Sequence, residues 1–401
     1  MVVGAGIAGC TIAGELVRAG ISVGLVDQHH EPAIETSGHQ TALAHPQIGK
    51  KITKLQRFTQ LANQIANHQW QNAQIIQSAF EPRRDLDQEQ LSNLAELSRE
   101  MGYGNETIQL IFKEEAKAKT NVAANGIWYK TAAVYSLPKI CHEEIKGLLP
   151  EQLHWGQAIQ KIQYHQNEWQ VFSQEGELIC STKALILANG MGVQELLKTI
   201  AINLPLRPVR GQLSTFYIQA ESPLVPFLPK AVLRGDGYCL PAKKLKDGSW
   251  SWEVGSSYDE DNAEKNIWQK SDYDNAIKGL TLIGCEQSLI SELVPHSAYV
   301  GVRSASKDRL PLIGPVPQHP GLYLACAYGS RGVLWSALAA PLIRAYVESF
   351  FAGADRLRAG FLAGASATLS AEVASSVNPA RFLAGALGAR TSNSKPIFPV
   401  S

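Results

Sequence analysis

Met1-Val-Val-Gly4-Ala-Gly6-Ile-Ala-Gly9 is a short apolar run that passes straight into a G-x-G-x-x-G pattern. Thr11 to Ala19 reads as a helix closed by Gly20. Ile21-Ser-Val-Gly-Leu-Val26 reads as a second strand, and Asp27 follows it, 21 residues after Gly6. This is the order of a βαβ unit built for a dinucleotide. Gly4 allows a tight turn, Gly6 lets a pyrophosphate approach the backbone, and Gly9 lets helix and strand pack closely. The helix N-terminus offers free N–H groups and partial positive charge to phosphates. Asp27 stands where a carboxylate can accept hydrogen bonds from a ribose. A tight βα turn with a surface aspartate fits the same residues, and this stretch does not choose between FAD and NAD. Only Val2 and Val3 separate Met1 from the first glycine, so the start reads as trimmed, by a mis-assigned initiator or by loss of an upstream segment.

The chain has 401 residues, 45% of them hydrophobic and 18% charged, with net charge +1. That length suits two or three domains with a large core. The charge balance gives no global sign of nucleic-acid binding, so any basic patch for such a partner would have to be local. The six cysteines show no C-x-x-C pair or metal spacing and read as reduced thiols of a cytoplasmic protein. No metal is expected. The ten histidines form no ligand motif, and His29-His30 reads as loop surface. The apolar start lacks the basic flank of a signal peptide, and no apolar run reaches membrane-spanning length.

Further along, residues 52–76 look helical, with Ile52, Leu55, Phe58, Leu61 and Ile65 near one face. A second helix is expected over 88–101, a strand at Gly126-Ile-Trp-Tyr129, and a helix from Ser136 through Leu149. Residues 158–162, 168–172 and 177–181 read as a small meander. Lys183-Ala-Leu-Ile-Leu-Ala-Asn189-Gly190 reads as a buried parallel strand ending in a turn, which suits a return to the nucleotide site. From 204 to 257 the pattern turns β-rich, like an antiparallel sheet inserted into an α/β domain. Residues 261–293 read as helical. Leu322 to Ala327 is a strand, Tyr328-Gly-Ser-Arg-Gly332 a glycine loop, and Val333 to Phe351 a helix, repeating the opening logic. The tail from Ala352 has helix-capable segments, and its last ten or so residues read as disordered.

In this order, the opening fingerprint, Ala188-Asn189-Gly190, Pro208-Val-Arg-Gly211-Gln212, Gly301-Val-Arg303…Asp308…Pro311-Leu-Ile-Gly314 and the late glycine loop resemble the D-amino-acid-oxidase-like flavoproteins. Within them the chain is similar to the FAD-dependent C-terminal modules of the bacterial bifunctional enzymes of tRNA 5-methylaminomethyl-2-thiouridine biosynthesis. Ser37-Gly38…Leu43…Pro46, Gly255-Ser-Ser-Tyr258, the 301–314 block, Gly329-Ser-Arg-Gly332 and Asn378-Pro-Ala-Arg381 carry this narrower likeness.

The resemblance implies an α/β (α+β overall) fold. A Rossmann-like FAD-binding domain (1–50, 136–205, 300–351) is interleaved with an antiparallel-sheet substrate domain (51–135, 206–299), and 352–401 is a tail. Implied cofactor contacts are Gly4, Gly6, Ile7, Ala8, Gly9, Asp27, Gln28, Ser37, Gly38, Ile159, Ala188, Asn189, Gly190, Arg303, Gly329, Ser330, Arg331, Gly332 and Val333. His39 stands where the resemblance leads one to expect asparagine.

The implied reaction oxidises the carboxymethylaminomethyl group of a tRNA wobble uridine, in the anticodon stem-loop, to aminomethyluridine and glyoxylate. Flavin supplies the redox chemistry and the protein orients the C–H bond. An arginine fork can grip the substrate carboxylate. Arg303 is the first candidate, with an ion pair to Asp308 or another acid as the alternative. Arg331 is a candidate for contact with flavin or substrate, with helix-end surface as its alternative. Tyr258 and Gln212 are candidate pocket residues, with core or sheet surface as theirs. Lys243-Lys244-Leu-Lys246 and Arg207/Arg210 are the nearest approach to a basic patch, though such runs also occur as plain solvated faces. The family's N-terminal methyltransferase module has no counterpart in this sequence, which admits a separate methyltransferase as partner. Two other readings stay open: an oxidase of free glycine or sarcosine, and a truncated relic that no longer binds FAD.

Overall fold

The computed structural model describes residues 1–49, 51–100, 102–353, 362 and 365–383. The chain divides into two compact units and passes between them four times. Met1–Gly38, Leu137–Pro208 and Arg303–Ser401 form the first, and His39–Ser136 with Val209–Val302 the second. Residues 39–50 thus fall in the second unit, not in the first as expected. The reason is local pairing: Ala42–Ala44 runs antiparallel to Gly126–Tyr135, with Ala42 opposite Tyr135.

The first unit is built on a six-stranded sheet. Val2–Val3 lies inside it, and two residues suffice because both are paired on both sides. Val2 and Val3 stand opposite Ile186 and Leu187 on one flank and Leu25 and Val26 on the other, all parallel. Leu185–Leu187 and Leu322–Cys326 are buried along their whole length, as expected of parallel strands covered on both faces. Leu312–Pro315 closes one edge in antiparallel sense. The helices Ile7–Arg18 and Gly332–Phe351 pack against each other. The expected meander forms as a three-stranded antiparallel sheet over Ile159–His165, Glu168–Ser173 and Leu178–Thr182. Its Trp169 and Val171 enter the core with Leu187 and Leu324.

Two sequence expectations shorten here. Only Leu25–Val26 of the 21–26 stretch joins the sheet, and the helix after Ser136 spans Leu137–Glu144 before a 3-10 turn at Ile145–Gly147. The tail contributes helices Ala367–Val377 and Ala380–Leu383. The last ten residues lie outside those described.

The second unit carries an eleven-stranded, largely antiparallel sheet in which the strands over 206–218 and 250–255 pair from Leu213–Gly255 to Ile218–Trp250. Phe216, Trp252 and Val254 make its core with Leu280 from the helix Gln269–Ile283. The helix expected over 52–76 is Lys54–Gln69, started by a capping box between Thr53 and Gln56. Ile52 lies before that cap and is 48% exposed. Residues 74–82 form the strand Gln74–Pro82. The apolar period that supports a helix stops near Ala66, and the Gln/Asn-rich stretch beyond it carries no period of its own. Among the described residues no helix is long and apolar enough to cross a membrane.

Candidate cofactor-binding site

In the first unit the chain reverses direction across the sheet at Val2–Val3, so the ends of this strand and of Leu185–Leu187 flank a topological switch point. Open α/β sheets bind ligands there, outside the carboxyl ends of the strands. Gly4 and Asn189 follow those ends. Gly4 has φ +101°, and a Cβ on it would sit 2.7 Å from Asn189 Cα. The glycine is therefore required by the abutting strand end as well as by the turn. A Cβ on Gly9 would stand 1.8 Å from the Gly4 carbonyl oxygen. One on Gly6 would meet only the Ser37 side chain, its hydroxyl oxygen nearest at 3.1 Å.

The helix Ile7–Arg18 begins at Gly6 with no side-chain cap. The Ile7 N–H donates to Ser37 Oγ at 2.9 Å, which leaves the Ser37 hydroxyl proton available to an acceptor. Asp27 accepts from the Ala5 N–H through Oδ2 at 2.6 Å and from the His29 N–H through Oδ1 at 2.8 Å. Each oxygen keeps a further lone pair for a ligand hydroxyl. Asn189 Oδ1 is buried without a hydrogen-bond partner, a condition that marks a place where a ligand or water completes the structure.

The late glycine loop lies at the same edge. Ala327 and Gly329 have φ of +62° and +52°. The Ala327 N–H donates to Ser304 Oγ and the Gly329 N–H to the Ser304 carbonyl, both at 2.9 Å. Arg331 is the uncapped N-terminal residue of the helix Gly332–Phe351. A Cβ on Gly332 would be 3.8 Å from Ile7 Cγ2, so two helix N-termini converge. Together, the bare backbone at the glycines, the two positive helix ends, the Asp27 carboxylate and the orphaned Asn189 oxygen fit a dinucleotide.

The remaining candidates of this unit divide. Ala188 is fixed by its N–H to the Val3 carbonyl at 2.9 Å, and Gly38 closes a turn on the Glu35 carbonyl at 2.8 Å. Ile159 opens the meander, and Gln157 just before it donates its N–H to the Asp27 carbonyl at 2.9 Å. Ile7, Ala8 and Val333 are buried in their helices. Gly190 and Ser330 are exposed. Gln28 is exposed with its amide 3.2 Å from His29 Nε2.

Arg303 is half-buried, and Asp308 accepts from Arg381 at 2.7 Å. In the second unit Gln212 is fully buried and saturated. Its Oε1 accepts from Arg210 Nη2 at 2.7 Å and the Trp268 N–H at 2.8 Å. Its Nε2 donates to the Trp268 carbonyl at 3.0 Å and Asp272 Oδ1 at 2.6 Å. That leaves nothing for a substrate, so its side chain belongs to an interior network. Arg210 is buried too, paired with Asp259 at 3.0 Å and stacked on Trp268, and is therefore no part of a basic surface. Tyr258 is 43% exposed. Lys243, Lys244 and Lys246 are exposed.

Sequence reading missed Ser304 and a polar cluster in the second unit. There His39 stacks on Tyr299 at 5.5 Å, Tyr238 Oη lies 3.2 Å from His39 Nε2, and the Thr41 hydroxyl donates to Glu253. Burial raises the Glu253 pKa. Neither set has a local sequence signature, since its members come from different strands. Among the described residues no group of His, Cys, Asp and Glu could hold a metal ion.

Asp27→Asn sets an amide N–H₂ against one of two backbone N–H donors. It is expected to leave the protein folded and to weaken FAD binding about tenfold or more, as read by flavin fluorescence titration of the apoprotein.

Over residues 1–345 the chain matches the family described as FAD dependent oxidoreductase. It is 29% identical over 420 residues to the tRNA 5-methylaminomethyl-2-thiouridine biosynthesis bifunctional protein MnmC of Ralstonia nicotianae, and 27% over 395 residues to that of Thiobacillus denitrificans. These alignments cover 96% and 95% of this chain, which spans only 60% and 59% of those relatives' length. Among solved structures, glycine oxidase from Geobacillus kaustophilus superposes with a TM-score of 0.68 at 16% identity, over 86% of this chain and 93% of that one. The FAD-bound L-alpha-glycerophosphate oxidase from Mycoplasma pneumoniae does so at 0.68 and 16%, over 88% and 94%. These likenesses show the fold.

Proposed function

Since this chain belongs to the FAD-dependent oxidoreductase family, we propose that it carries out the oxidative step of tRNA wobble-uridine modification. The observation that carries this reading is the similarity across 96% of the chain to proteins named for 5-methylaminomethyl-2-thiouridine biosynthesis. The substrate is 5-carboxymethylaminomethyl-(2-thio)uridine in the anticodon stem-loop. A hydride leaves the methylene between nitrogen and carboxylate, giving an imine. Water cleaves the imine to glyoxylate and 5-aminomethyl-(2-thio)uridine. That product is a primary amine, the group a methyltransferase would convert to methylaminomethyl.

FAD, when bound, supplies the hydride acceptor. The residues of the chain hold and orient. Gly6, the Ile7 helix end and the Ser37 hydroxyl would hold the pyrophosphate, and Asp27 would hold the ribose. The N–H groups of Gly332 and Val333, with a helix dipole behind them, would stabilise negative charge on the bound group. Arg303 grips the substrate carboxylate in a bidentate fork, which fixes the methylene, and Arg331 borders the same edge. A neutral secondary amine needs no strong base. Exposed Lys243, Lys244 and Lys246 offer local positive charge to RNA phosphates.

The test uses purified, FAD-loaded protein and tRNA carrying the carboxymethylaminomethyl group, followed by nucleoside mass spectrometry. Aminomethyluridine and stoichiometric glyoxylate are expected, with glycine and sarcosine turned over far more slowly. Rapid turnover of the free amino acids with untouched tRNA would replace this reading by a small-molecule oxidase. Protein unable to take up FAD would leave only the non-catalytic relic.

A further inference from the structure

The match to the oxidoreductase family stops at residue 345, yet the tail beyond it reaches back to the cofactor-binding edge. Arg381 Nε donates to Asp308 Oδ2 at 2.7 Å and Nη2 to Asp308 Oδ1 at 3.2 Å. Nη2 also lies 2.9 Å from the carbonyls of both Leu310 and Pro311, and Nη1 donates to the Asn378 carbonyl at 3.1 Å. The guanidinium covers the Phe382 ring at 4.9 Å. One planar fork thus ties the tail to the whole 308–311 turn, a task its rigid donor geometry suits and an ammonium does not. Pro379 seats the same segment against Gly314, where a Cβ would be 3.5 Å from its Cδ.

That turn ends the strand Val294–Ser306. The Ser306 hydroxyl lies 2.8 Å from Asp308 Oδ1 and 2.6 Å from the Leu310 carbonyl, and the Leu310 N–H donates to Asp308 Oδ1 at 3.0 Å. Two residues upstream, Ser304 holds the Ala327 and Gly329 N–H groups, and Ala305 bridges to Tyr328. The loop so held leads directly into the helix Gly332–Phe351. Burial alone would raise the Asp308 pKa, but Arg381, Ser306 and the Leu310 N–H together hold it below the usual carboxylate value. The turn is therefore charged and gripped at neutral pH.

We propose that Arg381 is a positioning residue for the cofactor-binding edge. From the tail it fixes the 306–311 turn, and through Ser304 it fixes the 327–329 loop and the N-terminus of the last long helix where FAD is received. This inference rests on FAD dependence and not on the identity of the amine substrate.

Arg381→Ala, Arg381→Lys and Asp308→Asn in the full chain test it. The readouts are FAD affinity of the apoprotein and hydrogen exchange at the Ala327 and Gly329 amides, with second-unit amides as control. Arg381→Ala is expected to weaken FAD binding about tenfold and to speed exchange at both amides, while second-unit protection is unchanged. Arg381→Lys recovers part of both. Unchanged FAD affinity and unchanged exchange at 327–329 would overturn the proposal even if the melting temperature fell, because the pair would then be only a staple for the tail. Should Arg381→Ala not fold, Asp308→Asn decides alone, by the same two readouts.

Discussion

Gly9→Ala is expected to destabilise the first unit strongly, whereas Gly6→Ala yields a protein of near-parent stability that binds FAD poorly. The two glycines belong to one fingerprint, but a Cβ meets different neighbours. At position 9 it would stand 1.8 Å from the Gly4 carbonyl oxygen and 3.0 Å from its carbon. Both are backbone atoms, and Gly4 is already locked at φ +101° against Asn189. No rotamer change relieves that contact, so the helix Ile7–Arg18 must lift from the sheet on which Val2–Val3 is paired. Overpacking of this kind costs about 3 kcal/mol or more, roughly 6–12 °C in melting temperature for a unit of this size. At position 6 the nearest atom is a hydroxyl at 3.1 Å, which can rotate. There the methyl group instead occupies the space where a pyrophosphate approaches the backbone. Circular dichroism melts and FAD titration separate the two effects. A Gly9→Ala protein that melts like the parent would show that the helix can be displaced without loss.

The features legible in the sequence are those written in local spacing. The glycine fingerprint, the apolar strand before Asn189 and the strand–glycine–helix at 322–351 each specify a conformation within about 30 residues, and all three lie at one sheet edge. What was not legible depends on contacts between distant positions. Ser37 meets Ile7 across 30 residues of chain, Ser304 meets Ala327 across 23, and Arg381 meets Asp308 across 73. Both ends of the last pair stand out in the sequence, but nothing in their spacing joins them. Burial was the other hidden variable. Gln212 and Arg210 are types that suit a pocket and a basic surface, yet both are fully buried in a network with Asp272, Asp259 and Ser271. Their P-V-R-G-Q motif is accounted for by that interior network. The strand Gln74–Pro82 was hidden for a related reason: its register is set by Phe80 opposite Trp128 and Glu81 opposite Ile127, not by any period of its own.

Arg303→Ala is expected to retain FAD and to lower kcat/KM for the tRNA substrate by about 10²–10³-fold, the usual consequence of deleting one partner of a desolvated charge pair. The residue sits near the end of Val294–Ser306, one position before the Ser304 that fastens the glycine loop. Uridines that lack the carboxymethyl group carry nothing for the fork to grip, so discrimination among modified uridines should fall together with the rate. Arg303→Lys keeps the charge but not the bidentate geometry. It should recover part of KM and little of kcat, because the methylene is then bound without being aligned. Steady-state kinetics with parallel FAD titrations read all of these. Loss of FAD from Arg303→Ala, with turnover per bound FAD unchanged, would make Arg303 a structural support of the cofactor edge and return the carboxylate-binding role to Arg331.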